Sequence, residues 1–308
     1  MKQPPLVYII VLNWNGWQDT LSCVESCRAL QWPNFRILIV DNGSTDGSEE
    51  ILRRHLADIE ILQSGANLGF SGGNNVGIRH ALESNADYVW LLNNDAEVAP
   101  EALSRLVEAM ESDPAIAMSG SKIYLHDDRQ RLNFAGGIWD KGRLRPRLLG
   151  ANQLDRGQFD EQCEGRVLSG CSLLVSASAI QEIGFMEESY FLYWEDTEWC
   201  ARAHKLGYKT LFVPKSHVWH KVSASTGKDS FAQHYYLTRN GFAFLWHYAP
   251  FWAPVFAMYN LLYSLKCLVG GQSQALKGFL FGLIGFLRGE TGPIDQRQDG
   301  KKRRGQPH

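Results

Sequence analysis

"VWLLNNDAEV", residues Val89–Val98, decides the fold. Val89, Trp90, Leu91 and Leu92 follow one another without a polar break, and then come Asn93, Asn94 and Asp95. A strand with one face in water alternates apolar and polar residues, whereas an unbroken apolar run fits a strand covered on both faces, as in a parallel sheet. The abrupt polar end then lies at the carboxyl edge of the sheet, where open α/β sheets bind their ligands.

The same signature recurs on either side. Apolar runs stand at "LVYIIVL" (Leu6–Leu12), "FRILIVD" (Phe35–Asp41), "IEIL" (Ile59–Leu62) and "AIAMSG" (Ala115–Gly120). Helical patterns separate them. "DTLSCVESCRAL" sets Leu21, Val24 and Cys27 at helical spacing, "DGSEEILRRHL" reads as a capping box from Asp46 to Glu49, and "APEALSRLVEAMES" has Pro100 in its expected first turn. This βαβα rhythm predicts an open doubly wound sheet with helices on both faces. Asn13–Gly16, Asp41–Gly43 and Asn93–Asp95 would then converge as polar tips on one crevice.

The chain has 308 residues with 31 Lys and Arg against 33 Asp and Glu, which gives no reason to expect a nucleic-acid partner. None of the six cysteines forms a C-x-x-C pair, so neither a zinc knuckle nor a disulfide framework is indicated. The start lacks the cleavage pattern of a signal peptide, and a reducing, cytoplasmic setting is the expectation.

The composition divides the chain into a βαβα part over 1–125, a less regular part over 126–243, and an apolar segment with a basic tail over 244–308. "FWAPVFAMYNLLYSLKCLVGG" and "ALKGFLFGLIGFLRG" read as helices lying against a membrane surface rather than crossing it. From Leu261 to His308 there are eight basic and three acidic residues, which suits an anionic leaflet. A helical pair capping the core, or an interface between two copies of the chain, is the competing reading.

Asn93 and Asp95 point the same way in an extended segment and offer oxygens to a hard divalent cation and the diphosphate it carries. The Asp41 carboxylate suits either a pyrimidine imide N–H or an Asx-turn. "NLGFSGGNNVGI" (Asn67–Ile78) is rich in glycine, so backbone can approach a ligand closely, but it is not a dinucleotide fingerprint. "YFLYWEDTEWCARAHKLG" places Glu195, Asp196 and Glu198 in a first helical turn after an aromatic stretch, where a carboxylate can take a proton from an alcohol. His217 and His220 follow an expected strand as candidate metal ligands.

Taken in order, "VLNWNG", "VDNGSTDGS", "NLGFSGGNNVGI", "LLNNDAEV", "SGCSLLV", "FLYWEDTEWCARAHKLGY", the histidine of "VWHKVSAST" and "YYLTRN" resemble the family 2 inverting glycosyltransferases of GT-A fold, in particular their bacterial rhamnosyltransferase-like branch. The resemblance runs from about Val7 to Asn240. It implies an open mixed sheet flanked by helices, with 1–125 as the nucleotide-sugar-binding half and 126–243 as the acceptor-binding and catalytic half of one domain, and with the apolar helical segment appended. It implies that Asp41 binds the pyrimidine and that Leu12, Asn15, Asn67, Gly69, Ser71, Gly72 and Asn75 line the nucleoside. Asn93 and Asn94 would lie at the diphosphate, and Asp95 with His220 would hold Mn²⁺ or Mg²⁺. Asp196, paired with Glu195, would be the base, and Arg239 would steady the leaving diphosphate. Asn93 departs from the D-x-D pattern, which has an aspartate there. The implied reaction moves a sugar, rhamnose from dTDP-rhamnose or another sugar from a UDP donor, to a glycan or lipid-linked glycan at the inner membrane face. A nucleotidyltransferase, or a non-catalytic sugar-nucleotide-binding protein, is the alternative.

Overall fold

A computed structural model of the chain describes residues 3–140, 145–165, 167–221 and 230–294. Within them the contacts define two units, one of 3–188 with 195–221 and one of 189–194 with 230–294.

The first unit opens with β1 (Val7–Asn13), α1 (Trp17–Arg28), β2 (Phe35–Asp41), α2 (Ser48–His55), β3 (Glu60–Gln63), α3 (Gly69–Glu83) and β4 (Tyr88–Asn93). It continues through β5 (Ala96–Val98), α4 (Ala102–Glu111), β6 (Ile116–Leu125), β7 (Leu132–Phe134), β8 (Gly137–Asp140), β9 (Arg145–Leu148) and β10 (Cys163–Glu164). It closes with β11 (Ser172–Ser176), α5 (Ala177–Ile183), α6 (Glu195–Lys205) and β12 (Lys209–His220). The main sheet runs β10-β12-β6-β11-β4-β1-β2-β3, with β5 on β12 and β7 on β6, while β8 and β9 pair apart. Strands β3, β2, β1 and β4 are parallel, and β11 is antiparallel to both β4 and β6. The sheet is therefore mixed, as the resemblance implies, and not all-parallel as the apolar runs alone suggest. Strand β11 is itself an apolar run, and such runs report cover on both faces without reporting direction.

Alternation along the strands sorts the two faces. Val7, Ile9 and Val11 pack with Val24, Leu52 and Leu103 of α1, α2 and α4. Tyr8 and Ile10 pack with Ile78, Ile180 and Trp199 of α3, α5 and α6. Helix α3 comes unusually close because Gly77 faces the sheet. A Cβ there would meet Ile10 Cγ2 at 2.7 Å.

Three local expectations are corrected. Helix α2 starts at Ser48 behind Gly47 (φ +85), and Asp46 Oδ1 accepts from Ser48 N, while the Glu49 carboxylate takes Arg53 and Gln63 instead of closing a capping box. Pro100 stands two residues ahead of α4. Strand β12 does not stop near Pro214. It pairs with β6 as far as Val213↔Ser121, breaks register over three extra residues, and resumes at His217↔Lys122. Pro214 has no N–H to give a ladder, and Ser216 Oγ in the bulge donates to Ala102 O at 3.0 Å. His217 and His220 are thus inside a strand.

The second unit holds α7 (Phe231–Tyr248), α8 (Ala253–Val269) and α9 (Ser273–Leu287). Glycines at 278 and 282 let α9 meet α7 backbone to backbone, since a Cβ would stand 2.9 Å from Phe231 O and 2.6 Å from Tyr235 O respectively. The helical unit takes in α7, which begins before the composition shift at Phe244. No helix among the described residues is long and apolar enough to cross a membrane. Most of the basic tail, with Arg297 and Lys301–Arg304, lies outside the described residues, as does the "VSAST" stretch.

Candidate active site

The registers Asn13↔Asp41 and Leu12↔Asn93 end β2, β1 and β4 side by side. Their polar tips form one hydrogen-bonded line. Asn94 Nδ2 donates to Thr20 Oγ1 (3.1 Å), Thr20 Oγ1 to Asn13 Oδ1 (2.8 Å), and Asn13 Nδ2 to Asp41 Oδ2 (2.8 Å). Asp41 Oδ1 also takes Ser44 N (2.9 Å) and Gln63 Nε2 (3.0 Å). Asn13, Thr20 and Asp41 are fully buried. The expected base-reading role of Asp41 is corrected accordingly. Its carboxylate is shut from solvent and committed to three donors, so it builds the β1–β2 tip instead of facing a nucleobase.

The loop after β3 is equally knit. Asn42, beside Asp41, donates to Gly69 O and accepts from Leu68 N, and Asn67 Oδ1 accepts from Gly69 N in an Asx-turn. Gly69 needs its φ of +74. Asn15, exposed at φ +52, ties β1 to the β2 loop through Thr45 N (2.8 Å). Leu12 is half-buried, and a Cβ on Gly73 would lie 2.5 Å from its Cδ1. Gly72 has the Leu68 side chain against it, and Ser71 is buried with its Oγ lacking a partner. Asn75 is corrected as a nucleoside contact. It is fully buried, its amide donates to Met186 O and Glu188 Oε1, and its Oδ1 accepts from Met186 N.

A second cluster comes from the β5–β12 pairing, which sets His220 opposite Ala96. His220 Nε2 lies 3.0 Å from Asp95 Oδ1 and 3.2 Å from Asn93 Nδ2. Burial opposes the charged ring, but the Cys171 thiol and the Asp95 carboxylate beside it outweigh that and hold His220 well above the ordinary histidine value. Asn94 turns away, to Gly16 O and Thr20. His217 instead packs edge-on to Tyr124. A cleft of about 380 Å³ reaches Asp95 from the α1 side, walled by Asp19, Glu25, Glu97, His126 and Lys221; neither Asp41 nor Asp196 lines it.

A third group sits at the start of α6. Asp196 Oδ2 accepts from Gly170 N (3.1 Å), and Oδ1 from Thr197 N (2.6 Å) and Thr197 Oγ1 (3.2 Å). Burial nevertheless pushes its pKa above the ordinary aspartate value. Glu195 is driven much higher, by burial first and by the charge of Asp196 second, and its Oε2 has no hydrogen-bond partner among the described residues. The two neighbouring carboxyl groups thus have unequal surroundings: burial raises both, and the charge of Asp196 raises Glu195 further. Glu198 is held by Arg202 in a forked pair.

The segment Ser169–Cys171 connects the second and third groups. Gly170 N holds Asp196, the Cys171 thiol stands beside His220, and Cys171 O accepts from Asn93 N at 3.0 Å. Sequence reasoning quotes "SGC" as a motif but gives its residues no role. Asn13 stands among the expected polar tips, but an apolar run ending in an amide does not say which atom the amide will meet, and Gln63 was missed for that reason.

Arg239 is the clearest correction. It belongs to the helical unit and is 2% exposed. Its nitrogens donate to Asn240 Oδ1, Gly292 O, Ser189 O and Tyr190 O, and its guanidinium lies over the rings of Tyr235 and Tyr236. Asn240 donates to Tyr190 O, Leu192 O and Tyr193 O. The pair clasps a segment in which Phe191, Tyr193 and Trp194 all have φ between 62 and 78, a conformation that needs such support. Arg239 is occupied with carbonyls of its own unit. The aromatic residues pack on α7, Phe191 over Tyr236 and Trp194 over Phe244.

A mixed sheet with its polar groups gathered at the tips of β1, β2 and β4 is the frame of a GT-A glycosyltransferase. The mannosyltransferase PcManGT from Pyrobaculum calidifontis, solved with GDP-Man and Mn²⁺, has a similar fold at a TM-score of 0.59 and 13% identity, over 93% of this chain and 88% of that one. GalNAc-T7, solved with UDP, GalNAc and Mn²⁺, gives 0.56 and 17%, over 70% of this chain and only 43% of that one. Residues 8–183 match the model of glycosyl transferase family 2; the chain belongs to that family and is a glycosyltransferase. Among curated relatives, N-acetylglucosaminyl-diphospho-decaprenol L-rhamnosyltransferase of Mycobacterium tuberculosis is 29% identical over 63% of this chain and 68% of its own length. The dTDP-rhamnosyl transferase RfbF of Shigella flexneri is 23% identical over 93% and 97%.

Replacing Asn13 with Ala leaves Asp41 Oδ2 and Thr20 Oγ1 buried with fewer partners. The expected loss is about 1–3 kcal/mol of unfolding free energy, read as a lower urea midpoint.

Proposed function

We propose that the chain is an inverting glycosyltransferase that moves a 6-deoxyhexose, rhamnose from dTDP-rhamnose, to a hydroxyl of a lipid-linked glycan. The observation that carries the catalytic half of this reading is the contrast at Glu195–Asp196, where one carboxyl is oriented by three donors and its neighbour has an unpartnered oxygen. The rhamnose half rests on the two relatives named for that sugar. A UDP-linked sugar is the alternative donor.

Asp196 accepts the proton of the acceptor hydroxyl as that oxygen attacks C1 of the donor sugar. The bond from C1 to the diphosphate oxygen breaks, the nucleotide leaves with the electron pair, and the anomeric centre inverts. Glu195 lies beside it with its charged form opposed by burial and by Asp196, which disfavours a second negative charge near the attacking oxygen.

Asp95 and His220 fit a divalent cation as two protein donors, with the metal displacing any proton on His220 Nε2. Among the described residues no group of three or more His, Cys, Asp or Glu gathers to hold a metal by itself, so diphosphate oxygens and water would complete the shell, as Mg²⁺ and Mn²⁺ commonly accept. Bound there, the cation would neutralise charge on the leaving diphosphate. Asn93 supports this pair as a neutral neighbour.

The helical unit supports a membrane-surface reading. Among the described residues of α8 Phe256 and Ser264 are buried while Met258, Leu262 and Leu265 are exposed, so the helix is apolar on nearly every side. The excess of basic residues from Leu261 onward suits an anionic lipid surface better than a second copy of the same basic segment.

Three outcomes are expected. Asp196→Asn should keep dTDP binding in calorimetry while transfer drops about 10²–10⁴-fold; transfer at the wild-type rate would overturn the assignment of the base. Asp95→Ala should abolish the gain in dTDP-rhamnose affinity that Mn²⁺ gives the wild type, and an equal gain in both proteins would remove Asp95 from the metal site. The protein should co-sediment with anionic phospholipid vesicles, and Leu262→Glu with Leu265→Glu should return it to the supernatant; equal partitioning of both proteins counts against the membrane surface.

A further inference from the structure

Phe70 and Gly170 meet beside Asp196. Phe70 is the second residue of α3, and Gly170 lies in the turn before β11. A Cβ built on Gly170 would stand 2.8 Å from Phe70 Cζ, 2.9 Å from Phe70 Cε1 and 3.8 Å from Asp196 Cβ. Only a hydrogen fits where the ring edge touches the glycine. The N–H of that same glycine donates to Asp196 Oδ2 at 3.1 Å. The ring itself is half-buried and packs against the core beneath α3. An aromatic residue of α3 therefore leans on the residue whose amide holds the carboxylate.

We propose that Phe70 and Gly170 are matched positioning residues for Asp196: the missing side chain of Gly170 admits the ring, and the ring keeps water from the Gly170 N–H···Asp196 bond. The inference rests on the reading of Asp196 as the base. A hydrogen bond in a dry surrounding is stronger than one that competes with water, so the carboxylate is fixed in one rotamer. The same dryness makes the carboxylate a better proton acceptor, since burial penalises its charged form. Glu195 and Cys200 on its own helix feel the charge of Asp196, Glu198 on that helix is taken by Arg202, and Cys171, next to Gly170, has its thiol beside His220. The first turn of α3, 69–74, has no titratable side chain, so Phe70 acts on Asp196 through exclusion of water and not through charge.

The test uses the full chain with Gly170→Ala, Phe70→Leu, both together, and Asp196→Asn. Leucine lacks the two ring atoms that the alanine methyl would strike. First, aspartate labelled with ¹³C at the carboxyl is titrated by NMR, with the Asp196 signal assigned by its loss in Asp196→Asn. In Phe70→Leu the midpoint should fall by about half a pH unit or more as water reaches the carboxylate; an unchanged midpoint overturns the proposal. Second, release of dTDP from dTDP-rhamnose is measured with water as acceptor. Gly170→Ala should lower kcat about tenfold or more with little change in donor KM, and adding Phe70→Leu should recover most of the loss. Equal impairment of the single and double variants also overturns the pairing. If Asp196→Asn releases dTDP at the wild-type rate, the base assignment fails instead, and the NMR titration still decides whether Phe70 shields the carboxylate.

Discussion

The bond from Asn13 Nδ2 to Asp41 Oδ2 joins two strand ends that are both sealed from water. Everything at the functional edge hangs from it. Strands buried on two faces must finish somewhere, and where they finish in amides and carboxylates each polar atom needs a partner inside the protein. Asn13 supplies that partner in both directions, as donor to Asp41 and as acceptor from Thr20. Asn94 reaches the line through Thr20, and Gln63 closes its far end. The tips of four parallel strands and the first turn of α1 are thereby one connected object, whose shape is set before any ligand arrives.

Long-range pairing then adds the chemistry. Asp95 sits in the turn between β4 and β5, and the antiparallel contact of β5 with β12 delivers an imidazole to it from 125 positions further along the chain. The short Ser169–Cys171 segment does the same for the carboxylate of α6 through one backbone N–H. In each case a group whose type is plain from sequence obtains its orientation from a neighbour that is not.

That division explains what could be read from the sequence. The apolar runs at Val89, Phe35 and Leu6 stood out because double burial leaves no room for polar residues, and the helices between them carried a clear period. The antiparallel direction of β11 was hidden because "SLLVS" has the same composition either way round. Asp41, Asn75 and Arg239 were read as ligand contacts because their types suit that work. Burial and partner geometry show instead a strand-tip joint, a latch onto Met186 and Glu188, and a clasp on the 189–194 segment. A polar side chain announces that it will bond, and its sequence neighbours do not tell to whom. His220 with Asp95 was the opposite case: ordered motifs far apart in the chain implied a meeting, and the two side chains do lie within contact distance.

The bulge in β12 has an odd length. Between Val213 and His217 three residues have no counterpart on β6, so the alternation of side chains beyond the bulge is inverted relative to an unbroken ladder. The kink absorbs that odd count, and the side on which His220 emerges is set by its pairing beyond the bulge, opposite Ala96 and Leu125, which holds the imidazole beside Asp95.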